Sequence, residues 1–379
     1  MSIMTKIRSL GGKLMRRGMR LIPVSKRYIM FESELDYAES ARAIYDYMIR
    51  HQMNKKYHLI WSVKDSSLYP PEKNVVFICR DAGSIRWNYY LNRCKYFIFT
   101  HPWWMTQKKK SQIRINTAHG TMPLKGASKN PVVTFDYMLA GTEMTADYRN
   151  RAWGRSKAYI PVPLDMPRND WLYDTGNYLA PFLKGKHYSK VILCMPTFKQ
   201  SKHWSDSNEQ NPYLINVVQS RDDIMRLNQY LTDKNLLLVC KLHHLQTLDT
   251  MTSETFSNIL YLRDEQLSSN GIMINHVLTC SDALVTDFSS VCFDYLLLDR
   301  PIGFFVNSVE QYHRGYMMEN PEDFMPGTHI HHLDDFLSFM DVIVEGKDNY
   351  TEFRHKLRAQ CFRFTDNGNC RRFIEYFKF

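Results

Sequence analysis

The 379-residue chain has no pair of aspartates spaced Asp-x-Asp, no G-x-x-x-x-G-K-[ST] run and no G-x-G-x-x-G run. The first absence removes the acidic clamp that seats a metal and a diphosphate in many nucleotide-handling sites. The other two remove the Walker phosphate loop and the dinucleotide fingerprint. Its eight cysteines include no Cys-x-x-Cys pair, and Cys194 and Cys240 sit inside apolar runs. They read as buried free thiols of a reducing compartment, not as a disulfide framework. No window approaches 18 consecutive apolar residues, so no transmembrane helix is predicted. The N-terminus lacks the unbroken apolar stretch and small-residue cleavage site of a secretory signal. With 44% hydrophobic and 23% charged residues, the chain is neither disordered, collagen-like nor a coiled coil.

Charge is unevenly placed. Basic residues exceed acidic ones by 10, and eight of the basic ones fall in residues 1–31, where there is no acid. The remaining 348 residues carry an excess of only 2. A nucleic-acid binder spreads positive charge over a folded face, so that reading loses support. On a helical wheel Ile3, Ile7, Leu10, Leu14 and Leu21 fall on one arc, opposite Lys6, Lys13, Arg16, Arg17 and Arg20. Residues 1–27 are therefore expected to form a basic amphipathic helix on an anionic membrane surface, where each basic residue contributes roughly 1 kcal/mol. The alternative is a helix that packs its apolar face on its own domain. Gly11, Gly12 and Gly18 weigh against a purely structural helix.

Beyond residue 28, strand-like and helix-like runs alternate, which predicts parallel α/β units. Strands are expected at Tyr28–Phe31, Tyr57–Val63, Val75–Cys79, Tyr96–Thr100 and Ile113–Thr117, with helices at Asp36–His51, Ser84–Arg93 and Glu143–Trp153. A second series starts at Val191–Met195 and continues through the helix Tyr213–Asp233, the strand Leu236–Leu242, the strand Ala283–Thr286 and the helix Ser289–Leu298. The predicted architecture is two Rossmann-like doubly wound domains, residues 28–162 and 190–379, facing each other across a cleft. Residues 163–189, rich in Pro, Asn, Gly and Asp, read as the linker. Ligands of such sheets sit beyond the carboxyl ends of strands.

The informative motifs fall at such ends. His119-Gly120-Thr121 follows the strand Ile113–Thr117. A His there can take a proton from a hydroxyl near neutral pH, though a His-Gly turn on its own is more often structural than catalytic. Thr286-Asp287-Phe288-Ser289-Ser290 leads into a helix start whose hydroxyls and N–H groups suit a phosphate; Asp294, one turn on, suits a ribose hydroxyl or a local network. Lys241 and His243 lie two apart on an extended segment, point the same way, and can offset charge on a phosphoryl group. Metal ligation by His243 and His244 is disfavoured, because no Cys, Asp or Glu stands at ligand spacing. Thr197, Arg168 and Arg314 are further anion contacts by type; Arg168 can fork onto phosphate or pair with Asp170.

Taken in order, these blocks resemble the CDP-glycerol glycerophosphotransferase family, which primes or polymerises teichoic acids and related poly(alditol phosphate) chains. The similarity rests on His119-Gly120-Thr121 with Pro123-Leu124-Lys125, Pro167–Asp170, Pro196–Lys199, Lys241-Leu242-His243, Thr286–Ser290 with Phe293-Asp294, and Arg314-Gly315. It runs from about Tyr28 to the C-terminus. Departures are Ala118 where an aromatic often precedes the His, the extra Met122, His244 in place of Pro, and a reduced acidic stretch at Met317–Glu319.

The resemblance implies a GT-B-type fold with the nucleotide held mainly by the C-terminal domain. It implies metal-independent and cofactor-independent transfer of glycerol phosphate from CDP-glycerol (or ribitol phosphate from CDP-ribitol) to a hydroxyl of a lipid-linked saccharide or growing polymer, with release of CMP. Under it His119 is the general base, and His243 with Lys241 steadies the diphosphate, roles that the two imidazoles can exchange. Gly120, Thr121, Thr197, Thr286, Ser289, Ser290, Asp294, Arg314 and Arg168 are substrate contacts. The implied place is the cytoplasmic face of a bacterial membrane, held peripherally by the basic N-terminus, with Trp103, Trp104 and Lys108–Lys110 as a second surface element. The competing readings are a nucleotide-sugar transferase of the same fold and a membrane adaptor that has lost its chemistry.

Overall fold

A computed structural model describes residues 17–81, 83–101, 109–122, 134–152, 159–196, 212–242, 253–287, 289–306 and 317–379. The first domain is a seven-stranded sheet of β1 (Ser25–Glu32), β2 (His58–Val63), β3 (Val75–Cys79), β4 (Cys94–Phe99), β5 (Ile113–Asn116), β6 (Tyr137–Leu139) and β7 (Ile160–Val162). Its order is β3-β2-β1-β4-β5-β6-β7, and every pairing is parallel. The second is a six-stranded sheet of β8 (Lys190–Cys194), β9 (Leu236–Lys241), β10 (Ile259–Leu262), β11 (Ala283–Thr286), β12 (Ile302–Phe305) and β13 (Thr328–Ile330). Its order is β10-β9-β8-β11-β12-β13, again parallel throughout.

Burial on both faces explains why the strands read as unbroken apolar runs. Ile29, Met30 and Phe31 of β1 are buried, and so is all of β9. In both sheets the strand order reverses once, between β1 and β4 and between β8 and β11, which places a crevice at the carboxyl ends of those four strands.

Several boundaries differ from the sequence reading. The helix expected from Tyr213 begins at Arg221, where Ser220 and Asp223 form a reciprocal cap; the apolar residues Ile215, Val217 and Val218 are buried in turns instead. The helix Asp264–Ser269 and the strand β13 were not expected. The helix predicted over Ser289–Leu298 is shorter, Val291–Tyr295.

The segment 163–189 is structured. Pro167–Tyr173 forms a 3-10 helix, with Pro at its first position and Arg168, Asn169 and Leu172 buried. The chain end also returns to the first domain, where Phe373 of the helix Asn369–Phe377 joins the core of Ile29, Phe31 and Ile44. Asp170 fixes that return by accepting from the N–H groups of Asn369 and Cys370, both at 2.8 Å.

All eight cysteines are free, and six of them are buried. Among the described residues no helix is long and apolar enough to cross a membrane. Residues 1–16 of the expected amphipathic helix, and Trp103, Trp104 and Lys108, lie outside the described residues. Lys109 differs from the expected surface element. Its ammonium ties Ile22 and Asn92 together through their carbonyls.

Candidate active site

The crevice between the sheets is a cavity of about 580 Å³, lined from the first domain by Glu39, Lys64 and His119 and from the second by Lys241, Ser289 and Ser290. Each side chain reaches it from beyond a strand end.

His119 leaves β5 through a sharp turn. Ala118 sits at φ 61°, a left-handed conformation unusual for a residue with a Cβ, and its N–H donates to Asn116 Oδ1 at 2.7 Å. The half-exposed His119 ring places Nδ1 2.5 Å from Glu39 Oε1. Glu39 itself follows β1, is buried, and begins its helix at φ 59°. Held strain of this kind is common where a side chain must be aimed at a site. Burial pushes the Glu39 carboxyl up, but the His119 and Arg168 charges outweigh it and bring it down to about 2. In return the Glu39 charge raises His119 above its ordinary value of 6.5, against burial and the Arg168 guanidinium, which lower it.

Arg168 connects this pair to the other domain. Its Nη2 lies 2.5 Å from Asp294 Oδ2 and its Nη1 3.4 Å from Glu39 Oε1. The second oxygen of Asp294 accepts from Thr121 Oγ1 at 2.6 Å. A closed circuit results: His119, Glu39, Arg168, Asp294 and Thr121, which stands two residues from His119. Only His119 of the five is exposed. Arg149 braces the turn from below by donating to the carbonyls of Gly120 and Thr121 at 2.9 and 3.1 Å. Burial lowers that guanidinium to about 10. The domains pack closely at Gly120, where a Cβ would lie 2.6 Å from Ser290 Oγ.

The expected contacts therefore divide. His119, Lys241, Ser289, Ser290, Asp294 and Arg168 line one cavity. Asp294 and Arg168 do so paired with each other, not with Asp170 as one reading had it. Thr121 gives its hydroxyl to Asp294, and the buried Thr286 gives its own to the Met195 carbonyl at 2.7 Å. Both hydroxyl protons are thus engaged within the protein. Lys241 is buried, 3.0 Å from Asp264, with its ammonium also on the Leu242 carbonyl. The helix behind Ser289 and Ser290 has only five residues, so the two hydroxyls and not a helix dipole are what that wall offers. His243, Thr197 and Arg314 lie outside the described residues.

Sequence reasoning missed Glu39, Arg149 and Asp264. Glu39 reads as one more polar residue of a helix, and Arg149 belongs to a helix without a clear apolar stripe; neither stands in a recognisable pattern.

The sequence model of the family described as "CDP-Glycerol:Poly(glycerophosphate) glycerophosphotransferase" matches residues 14–377. The chain is 25% identical to the teichoic acid poly(glycerol phosphate) polymerase of Bacillus subtilis (strain 168) over 77% of its own length and 40% of that protein. It is 27% identical to the protein of the same name in Staphylococcus epidermidis, over 93% of this chain and 50% of the other. It thus spans about half, or less, of these curated relatives. In three dimensions it is similar to the wall teichoic acid polymerase TagF, with a TM-score of 0.76 at 22% identity, covering 100% of this chain and 97% of that one. A histidine-exchanged variant of TagF soaked with CDPG matches at a TM-score of 0.74. That likeness shows the two-domain fold.

Proposed function

The chain belongs to the CDP-glycerol:poly(glycerophosphate) glycerophosphotransferase family, and on that premise we propose that it moves glycerol phosphate from CDP-glycerol to a hydroxyl of a lipid-linked saccharide or poly(alditol phosphate) acceptor. The observation that carries this reading is the His119–Glu39 pair facing Ser289 and Ser290 across one cavity. The names of the polymerases it is similar to, and the CDPG soaked into a TagF variant, supply the substrate class.

In this reading neutral His119 takes the acceptor's hydroxyl proton on Nε2, because Nδ1 is held by Glu39. The acceptor oxygen bonds to the phosphorus next to glycerol, and the bond from that phosphorus to the CMP oxygen breaks. The proton leaves His119 for CMP or water afterwards. Little covalent work falls to the protein in such a transfer; it positions groups and offsets charge. Ser289 and Ser290 bond the diphosphate oxygens. Lys241, released from Asp264, supplies charge together with His243, and Thr197 and Arg314 are further contacts. Asp294 and Arg168 act as positioning residues, and Gly120 lets the two domains close on the donor. No cofactor is invoked. Residues 1–27 hold the enzyme at an anionic membrane surface, where a polyprenyl-linked acceptor is reached.

The test is CMP release from CDP-glycerol, CDP-ribitol and a panel of sugar nucleotides by the purified chain with acceptor. CMP is expected from a CDP-alditol, and His119→Ala should lower its release by roughly 10²- to 10⁴-fold. Turnover of a sugar nucleotide with neither CDP-alditol used would overturn the proposal.

A further inference from the structure

In its own wall of the same cavity, where Glu34 and His119 both stand, the first domain assembles a second set of ligand atoms. Glu34 lies beyond the end of β1, His101 beyond β4 and His119 beyond β5, and one ligand atom from each falls within 4.8 Å of the other two. Glu34 Oε2 is 3.1 Å from His101 Nε2. The two imidazoles meet edge to face, with centroids 4.9 Å apart and planes at 62°. Zinc bonds of the usual length in a tetrahedron put ligand atoms about 3.3 Å apart, so side-chain shifts of about 1 Å suffice to seat an ion.

The orientation of both rings fits the same use. His119 Nδ1 is held by the buried Glu39, and His101 Nδ1 lies 3.2 Å from Thr100 Oγ1. His119 is thus held at Nδ1, which leaves Nε2 as its ligand atom in the proposed seat, and His101, placed against Thr100, turns Nε2 to the Glu34 carboxylate. This is the outer-shell arrangement by which metal-ligating histidines are aimed, most often by a carboxylate. Two imidazoles and one carboxylate suit zinc and its neighbours and give magnesium or calcium too few oxygens. All three side chains are partly exposed, so an ion has access and keeps a fourth position for water.

We propose that Glu34, His101 and His119 form a seat for a zinc-class divalent cation, and that its occupation reversibly silences the enzyme. The inhibitory half rests on the reading of His119 as the base. A cation on Nε2 takes the lone pair that accepts the acceptor's proton, and fixes the ring while Glu39 holds its other nitrogen. Chelation restores the free base.

The experiment uses the intact chain, freed of metal with EDTA. Cobalt(II) is titrated in while the visible absorption of four-coordinate cobalt is followed, and zinc(II) is then used to displace it. One tight equivalent is expected, weakened at least 10-fold in His101→Ala and in Glu34→Gln, with circular dichroism confirming that each variant is folded. CMP release from CDP-glycerol should fall in step with zinc occupancy and return with EDTA. The zinc midpoint should rise at least 10-fold in His101→Ala, relative to that variant's own metal-free rate. Equal cobalt binding by wild type and both variants overturns the seat. Full zinc occupancy with undiminished CMP release overturns the inhibitory half. Should the chain use no CDP-alditol, the cobalt spectrum still decides the seat, while the transferase reading falls separately.

Discussion

Replacing Glu39 by Gln tests the centre of the proposed chemistry. The substitution keeps shape and removes one negative charge 2.5 Å from His119 Nδ1. His119 must be neutral to accept a proton, so activity rises as pH climbs through its pKa. In the wild type the Glu39 charge holds that pKa above the ordinary 6.5. Without it, burial and the Arg168 guanidinium lower the value, and the Glu34 charge alone still raises it. The acidic limb of CMP release against pH should therefore move down. The plateau should fall as well, because Gln no longer favours the tautomer with its proton on Nδ1 and no longer steadies the imidazolium as it forms. Loss of a comparable carboxylate behind a catalytic histidine costs up to roughly 10⁴-fold, and loss of general base assistance roughly 10² to 10⁴. Fold stability should change far less, by about 1–3 kcal/mol, since Arg168 keeps Asp294 as its closer partner. Rate–pH profiles from pH 5 to 9, with denaturant unfolding of the same samples, provide the readout. An unmoved acidic limb and a wild-type plateau would refute the role given to the pair.

Three further outcomes follow from the same geometry. Arg168→Met leaves Glu39 and Asp294 buried without their shared cation and should destabilise the protein by about 3–5 kcal/mol in chemical denaturation; a loss under 1 kcal/mol contradicts the buried circuit. Gly120→Ala puts a methyl 2.6 Å from Ser290 Oγ and 3.0 Å from its Cβ, for a cost of about 1–3 kcal/mol; adding Ser290→Gly should restore stability but not CMP release. Burial raises Asp165 to about 6 although the N–H groups of Arg363 and Phe364 donate to it. Its native pKa exceeds its unfolded one, so its contribution is full below about pH 4 and is lost as pH rises through 6. Against Asp165→Asn, the wild type should lose at most about 3 kcal/mol between pH 4 and 8 in urea titrations, and parallel curves would exclude the shift.

Much of the frame is legible in the chain because a strand buried on both faces writes itself as an apolar run. β9 (Leu236–Lys241), β11 (Ala283–Thr286) and β12 (Ile302–Phe305) are such runs. Short or weakly patterned pieces are not legible. β13 has three residues, and the helix Asp264–Ser269 buries only Leu267. The ends of strands, read as turns with reactive side chains, draw attention to His119, Lys241 and the paired serines, which line one cavity. What no local pattern reveals is pairing at a distance. Arg168 stands beside Asp170 in the sequence, yet its closest partner is Asp294, 126 residues on, because the 3-10 helix turns it toward the second domain. Asp170 in turn caps a helix two hundred residues later. Glu39 is hidden for the same reason: its partner His119 follows a different strand, β5, far along the chain.

The circuit through Arg168 has a mechanical side. It works as a rivet at the floor of the cleft, because pulling the lobes apart there would strand two carboxylates in a medium that solvates them poorly. Opening of the cleft is therefore opposed most strongly where Glu39, Arg168 and Asp294 meet, and the open side, where His119 is exposed, carries no such tie to the second domain through this circuit.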